Sequence, residues 1–153
     1  SLQTIGNNAF VQCTALTSLN FTDCSSLNLI GDNAFLQCSA LTSVDFSGCT
    51  SLQTIGDTAF INCNKLTNVN FTDCSNLQTI SYYAFSDCND LSSVDFSGCS
   101  TLTLSNIHSD TFNNTPNLIT VNITNSGLSS ETDTNLNTIF KKPGNTNTIN
   151  YIR

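Results

Sequence analysis

Positive charge is scarce in this chain. Lys and Arg total 4 against 11 Asp and Glu, a formal charge of -7 at pH 7. Phosphate backbones and anionic lipid surfaces repel such a chain, so nucleic acid and membrane surfaces drop out as partners. No run of about 18 apolar residues occurs, which leaves no candidate membrane-inserting helix. A charged region followed by an apolar stretch is also missing at the N-terminus, so no secretory leader is read there. The single histidine is His108 and no Cys-x-x-Cys pair exists, so the usual zinc-ligand spacings are lacking. Charged residues make up only 10% of the chain, so its solubility rests on 42 Ser and Thr and 22 Asn.

What is present is periodic. Leu2, Leu27, Leu52, Leu77 and Leu102 recur every 25 residues, and four blocks align on them without a gap. A period of this length specifies a stack of coils, each unable to bury its own apolar face and dependent on its neighbours. Within the first block, Leu16, Leu19 and Phe21 read LxxLxF, and from Ser18 the alternation has period two. This predicts a short strand with Leu19 and Phe21 inward and Ser18, Asn20 and Thr22 outward. Ile5, Ala9 and Phe10, following the pattern IGxxAFxxC, predict a turn and a short helical or irregular return segment. Stacked coils would place each strand about 4.8 Å from its copy in a parallel sheet.

The strand segment LxxLxLxxCxxL resembles that of leucine-rich repeats, and IGxxAFxxCxxL is similar to the BspA-type, or Treponema-type, repeat. The resemblance covers about residues 1–126. It implies a mostly β member of the α/β class: a right-handed, curved solenoid with the parallel sheet on its concave face and short helical or irregular convex segments. It also implies a secreted or cell-surface protein, of bacteria or some protists, acting in adhesion or protein binding. Its partners would be a protein or glycan at a cell surface or matrix.

Residues 1–126 read as five coils of about 25 residues, the fifth with two extra residues between Leu102 and Phe112. Residues 127–153 read as a degenerate sixth coil acting as a C-terminal cap, with Phe140 in the Phe10 position. A last edge strand is placed over Asn147–Arg153. The chain opens already in phase at Ser1, which suggests excision from something longer or a neighbouring copy. Leu2, Ile5 and Phe10 are then candidates for end-to-end self-association through an open sheet edge.

All eight cysteines fall in two columns: Cys13, Cys38, Cys63, Cys88 and Cys24, Cys49, Cys74, Cys99. Cys13 and Cys24 lie at opposite ends of a strand, beyond the roughly 7 Å reach of a disulfide. Cysteines within a column point the same way. Free, buried, inert thiols are expected, and no metal or cofactor. Thr115 and Ser126, which take these slots in the fifth coil, are small and carry a hydroxyl.

No catalytic constellation is apparent. His108, Ser109 and Asp110 are consecutive, whereas a nucleophilic triad draws its members from different segments. Asp45 and Asp95 sit two coils apart, about 10 Å by strand spacing. The candidate site is instead the outward strand ladder, in three columns. The first is Ser18, Ser43, Asn68, Ser93, Thr120; the second Asn20, Asp45, Asn70, Asp95, Asn122; the third Thr22, Ser47, Thr72, Ser97, Thr124. The second and third alternate by coil, as do the TDC and SGC turns, which reads as duplication of a two-coil unit. This face lacks the Trp, Tyr and Arg anchors that concentrate binding energy. Weak multivalent contact is expected, or contact through the flanks that carry Tyr82, Tyr83 and Lys65. Ranks of Thr and Ser also resemble those of ice-binding proteins, although Asp interrupts them. Sequons occur at Asn20, Asn70, Asn113 and Asn122; composition alone predicts about six, so they do not argue for glycosylation.

Overall fold

The computed structural model describes residues 2–153. Each of the first four coils contributes one three-residue and one two-residue strand. The three-residue strands are β2 (Ser18–Asn20), β4 (Ser43–Asp45), β6 (Asn68–Asn70) and β8 (Ser93–Asp95), continued by β9 (Thr120–Asn122) and β10 (Asn150–Ile152). They form one parallel sheet in the order β10-β9-β8-β6-β4-β2. Its register follows the repeat, with Leu19, Val44, Val69, Val94, Val121 and Tyr151 in one inward row. The solenoid expected from the 25-residue period is therefore the observed architecture.

A second parallel sheet replaces the predicted helical or irregular start of the return segment. It consists of β1 (Thr4–Ile5), β3 (Leu29–Ile30), β5 (Thr54–Ile55) and β7 (Thr79–Ile80), and Ile107 extends it by a single bridge to Ile80. Two-residue strands are too short to show an alternation. They exist because Ile5, Ile30, Ile55 and Ile80 are buried in one column. The rest of the return consists of turns whose backbone also bonds coil to coil, for example Phe10 N–H to the Ala34 carbonyl at 2.7 Å. The strand predicted to run from Ser18 to Thr22 ends at Asn20. There the Asn20 side chain accepts the Thr22 N–H at 2.9 Å and turns the chain.

Two helical pieces lie in the C-terminal part. A single 3₁₀ turn, Leu104–Asn106, occupies the insertion, and α1 spans Asp133–Phe140. Thr132 caps α1 by accepting the Asn135 N–H, and its buried face is Leu136, Ile139 and Phe140. The return segment, expected to be helical or irregular, is thus helical where it leads to Phe140. Phe140 reaches the core from this helix, 5.2 Å from Phe112 between ring centroids.

The core is two columns of phenylalanine. Phe10, Phe35, Phe60, Phe85 and Phe112 stack nearly parallel with centroids 5.0–5.6 Å apart. Phe21, Phe46, Phe71 and Phe96 stack at 5.2–5.4 Å. Edge contacts such as Phe46–Phe60 at 6.2 Å join the columns. Each interior ring is fully buried, whereas Phe10 in the first coil is 40% exposed.

The cysteines complete this core. All eight are free; Cys13 and Cys24 are half-buried and the other six buried. Each buried thiol donates to the carbonyl of a phenylalanine in the preceding coil, as in Cys49 Sγ to Phe21 O at 3.1 Å and Cys63 Sγ to Phe35 O at 3.4 Å. That carbonyl also accepts the backbone N–H of its own coil's cysteine, Cys24 on Phe21 and Cys38 on Phe35. The thiol thus fills a lone pair that the turn leaves unused. Thr115 and Ser126 donate instead within their own coil, to Phe112 O at 2.8 Å and Ile123 O at 2.7 Å. Burial pushes the thiols up, to about 11 for Cys49 and about 12 for Cys63 and Cys99.

The core sets three expected outcomes. Phe60→Ala should cost about 3–5 kcal/mol in a denaturant melt, and Phe10→Ala under half of that, since its ring already meets solvent; equal losses would contradict the stack. A chromogenic disulfide should titrate Cys13 and Cys24 in the native chain and the remaining six only after unfolding. Above pH 9.0, the ordinary thiol value, the unfolded chain ionises while the fold holds its thiols protonated. Stability should accordingly fall between about pH 9 and 12 and be insensitive to these groups below that window.

Candidate binding face and flanking cavity

Strand pleating sends alternate side chains to the same side, so the outward ladder forms where the spacing placed it. Ser18, Ser43, Asn68, Ser93 and Thr120 share one register row, and Asn20, Asp45, Asn70, Asp95 and Asn122 another. Thr22, Ser47, Thr72, Ser97 and Thr124 follow two residues later, in the turns. All fifteen are exposed or half-buried. The structure brings these residues together on one face.

The second column also shapes the backbone. Asp45 accepts the Ser47 N–H at 2.9 Å, Asn70 that of Thr72 at 3.0 Å, Asp95 that of Ser97 at 2.8 Å and Asn122 that of Thr124 at 3.1 Å. Across coils, the Asn70 amide donates to Asp45 at 3.1 Å and the Asn122 amide to Asp95 at 3.0 Å. Asn alternating with Asp lets each carboxylate face an amide donor. Two aspartates at strand spacing would repel.

The neighbouring turn alternates for a steric reason. Asp23 and Asp73 take left-handed backbone at φ 57° and 59°, and Gly48 and Gly98 the same region at 72° and 74°. The Asp23 carboxylate lies 2.6 Å from where a Cβ on Gly48 would stand. An aspartate in one coil thus occupies the space that the next coil vacates. Hence the two-coil period, read from sequence as a duplication, also satisfies packing and charge.

Burial alone would raise the Asp45 carboxyl. The Ser47 N–H and hydroxyl, the Thr22 hydroxyl and the Asn70 amide outweigh this and hold it below the ordinary carboxylate range. Between β6, β8, β9 and Ile152 the face dips into a depression of about 300 Å³. Ile152, 44% exposed, stands at the edge in the row of Asn122.

Away from this face, a cavity of about 400 Å³ opens beside the insertion, lined by Asp57, Ser81, Tyr82, Asn106 and His108 among others. Tyr82 lies 4.0 Å from the His108 ring and 4.3 Å from Tyr83 between centroids. His108 Nδ1 accepts the Asp110 N–H at 3.2 Å and is 3.9 Å from its carboxylate. His108 and Asp110 therefore face one another, whereas Ser109 between them is exposed. Among the described residues, no three His, Cys, Asp or Glu side chains gather as a metal site. Sequence reasoning named Tyr82 and Tyr83 but not the cavity. Its available signal was the loss of the Gly-Asn/Asp pattern at Ser81-Tyr82-Tyr83, one coil before the insertion.

The family of BspA type leucine rich repeat regions matches residues 3–139 in six copies. A leucine-rich repeat protein from Bacteroides ovatus superposes with a TM-score of 0.60 at 23% identity, over 99% of this chain and 40% of that one. The chain thus spans well under half the length of that protein. The Treponema pallidum leucine rich repeat protein aligns over 97% of this chain and 81% of its own, at 21% identity and a TM-score of 0.47. No curated protein matches the sequence.

Acidification tests the ladder. A depressed carboxyl contributes stability above its unfolded value, lost as pH falls through the folded one. The wild-type chain should lose stability below about pH 4, and Asp45→Asn should lose less over the same interval. Identical acid profiles in chemical denaturation would show that Asp45 is not held this way.

Proposed function

Since the chain belongs to the BspA-type leucine-rich repeat family, we propose that it is a non-catalytic protein-binding module of a secreted or cell-surface protein that acts in adhesion. One observation carries the reading: two register rows of small polar residues on one sheet face, continued by a third row in the turns, with the second-row side chains bonded into those turns. Such a face loses little side-chain entropy on contact and offers donors and acceptors at a regular spacing. Its partner is a protein or glycan at a cell surface or matrix, bound by repeated weak contacts. No helix of the described residues is long and apolar enough to cross a membrane. Residues 1–126 supply the repeated coils in this reading, and 127–153 shield their C-terminal end. An immobilised chain should retain a defined subset of extracellular-matrix or host-surface proteins. The double variant Ser43→Arg, Ser93→Arg should abolish retention without changing the Tm. Retention of nothing specific, or equal retention by the variant, would defeat the reading.

A further inference from the structure

Several departures from the repeat converge on one cavity. Where earlier coils carry Gly6-Asn7-Asn8, Gly31-Asp32-Asn33 and Gly56-Asp57-Thr58, the fourth carries Ser81-Tyr82-Tyr83. The next coil carries the two-residue insertion with its 3₁₀ turn and the chain's single histidine. Tyr83 holds φ 53°, a left-handed conformation that bulky residues rarely adopt and that Asn8 and Asn33 adopt easily. Thr58 holds the same region at φ 54° in the third coil, and the Tyr83 ring, outside the lining itself, packs on Tyr82 at 4.3 Å between centroids.

The cavity's chemistry is one-sided. Asp32 N–H bonds to Asn7 at 2.9 Å, Asp57 N–H to Asp32 at 2.9 Å and Tyr82 N–H to Asp57 at 3.2 Å. The ladder of side-chain acceptors therefore ends with an exposed carboxylate, Asp57, against an exposed ring, Tyr82. Asn106 and the Ser81 and Ser105 hydroxyls line the same space. His108 is the one basic side chain in the lining; Lys65, Lys141, Lys142 and Arg153 are not part of it. Aromatic faces and a carboxylate without a neighbouring cation attract positive charge and repel anions. At about 400 Å³ the space lies at the small end of ligand clefts and suits one long side chain.

We propose that this cavity is an anchor pocket for an arginine side chain presented by a protein partner. A planar guanidinium stacks on the Tyr82 ring while donating to the Asp57 carboxylate and to the Asn106 amide oxygen. Lysine, a compact ammonium without a stacking plane, matches the site less well. The inference rests on the protein-binding reading and deepens it by naming the chemistry of an anchor, on the flank rather than on the long sheet. Buried arginines are among the residues that concentrate binding energy at interfaces.

The test is an NMR titration of the full chain with acetyl-Gly-Arg-Gly-amide and with its citrulline counterpart, which keeps the shape and loses the charge. Saturable shifts at Tyr82, Tyr83 and His108 are expected with the arginine peptide, and binding about tenfold weaker with citrulline. Tyr82→Asn restores the residue type of the first coil, and Asp57→Asn keeps the acceptor that Asn7 provides there. Both should fold with unchanged Tm and weaken the arginine peptide about tenfold. Equal responses to arginine and citrulline would overturn the proposal. So would shifts at these rings from methyl glucoside with none from the arginine peptide, which would mark a neutral-sugar site. A positive titration without any matrix-protein capture would leave the pocket standing and remove the adhesion reading; capture without an arginine response would do the reverse.

Discussion

Stacking of phenylalanine on phenylalanine, one coil above the next, is the contact on which everything else in this molecule depends. A single coil has too little apolar surface to offset the entropy of ordering its backbone. Repeated at a fixed spacing, the rings of Phe35, Phe60 and Phe85 cover one another's faces and lose all exposure. Their separation, near that of neighbouring parallel strands, allows the ring stack and the backbone ladder to share one rise. The six buried thiols extend the same logic, since each bonds to a phenylalanine carbonyl of the coil before it. In these six positions cysteine is a small apolar filler with one weak donor.

The polar exterior obeys an equally local rule. Any residue in one coil faces its own counterpart in the next, so an unbroken column of aspartates would stack like charges at strand spacing. Alternation of Asn with Asp, and of Asp with Gly, resolves this in two columns at once. The result is an acidic face whose carboxylates are held in place by amide and backbone donors. A surface so constrained is regular and shallow, which suits repeated weak contact. The one place where the pattern yields to bulky aromatic residues, at Tyr82 and Tyr83, is also where the stack opens into a cavity beside the insertion.

Much of this was legible in the residues. The leucine spacing carried the solenoid, the alternation from Ser18 the long sheet, and the first two outward columns lie on its strands, whereas the third, read as strand, lies in the turns. The second sheet was not legible, because Thr4–Ile5 and its copies are too short to carry a period. Helix α1 was legible only in part: Phe140 keeps the Phe10 position, whereas its other buried residues, Leu136 and Ile139, fall outside the repeat pattern. That Asn20, Asp45 and their column accept the N–H two residues on and so turn the chain was not legible from a pattern that marked them only as a candidate binding face.

By itself, the sequence determined the rise, the register and the identity of every core column, because a 25-residue period leaves each residue only one possible neighbour, its own copy. Tertiary structure decided what the period is blind to. Which lone pairs the thiols fill, why Asp alternates with Gly, and how Tyr82, Asp57 and His108 come to line one space all depend on contacts between unlike residues of adjacent coils. Those contacts follow from the path of the turns, which one-dimensional spacing does not encode.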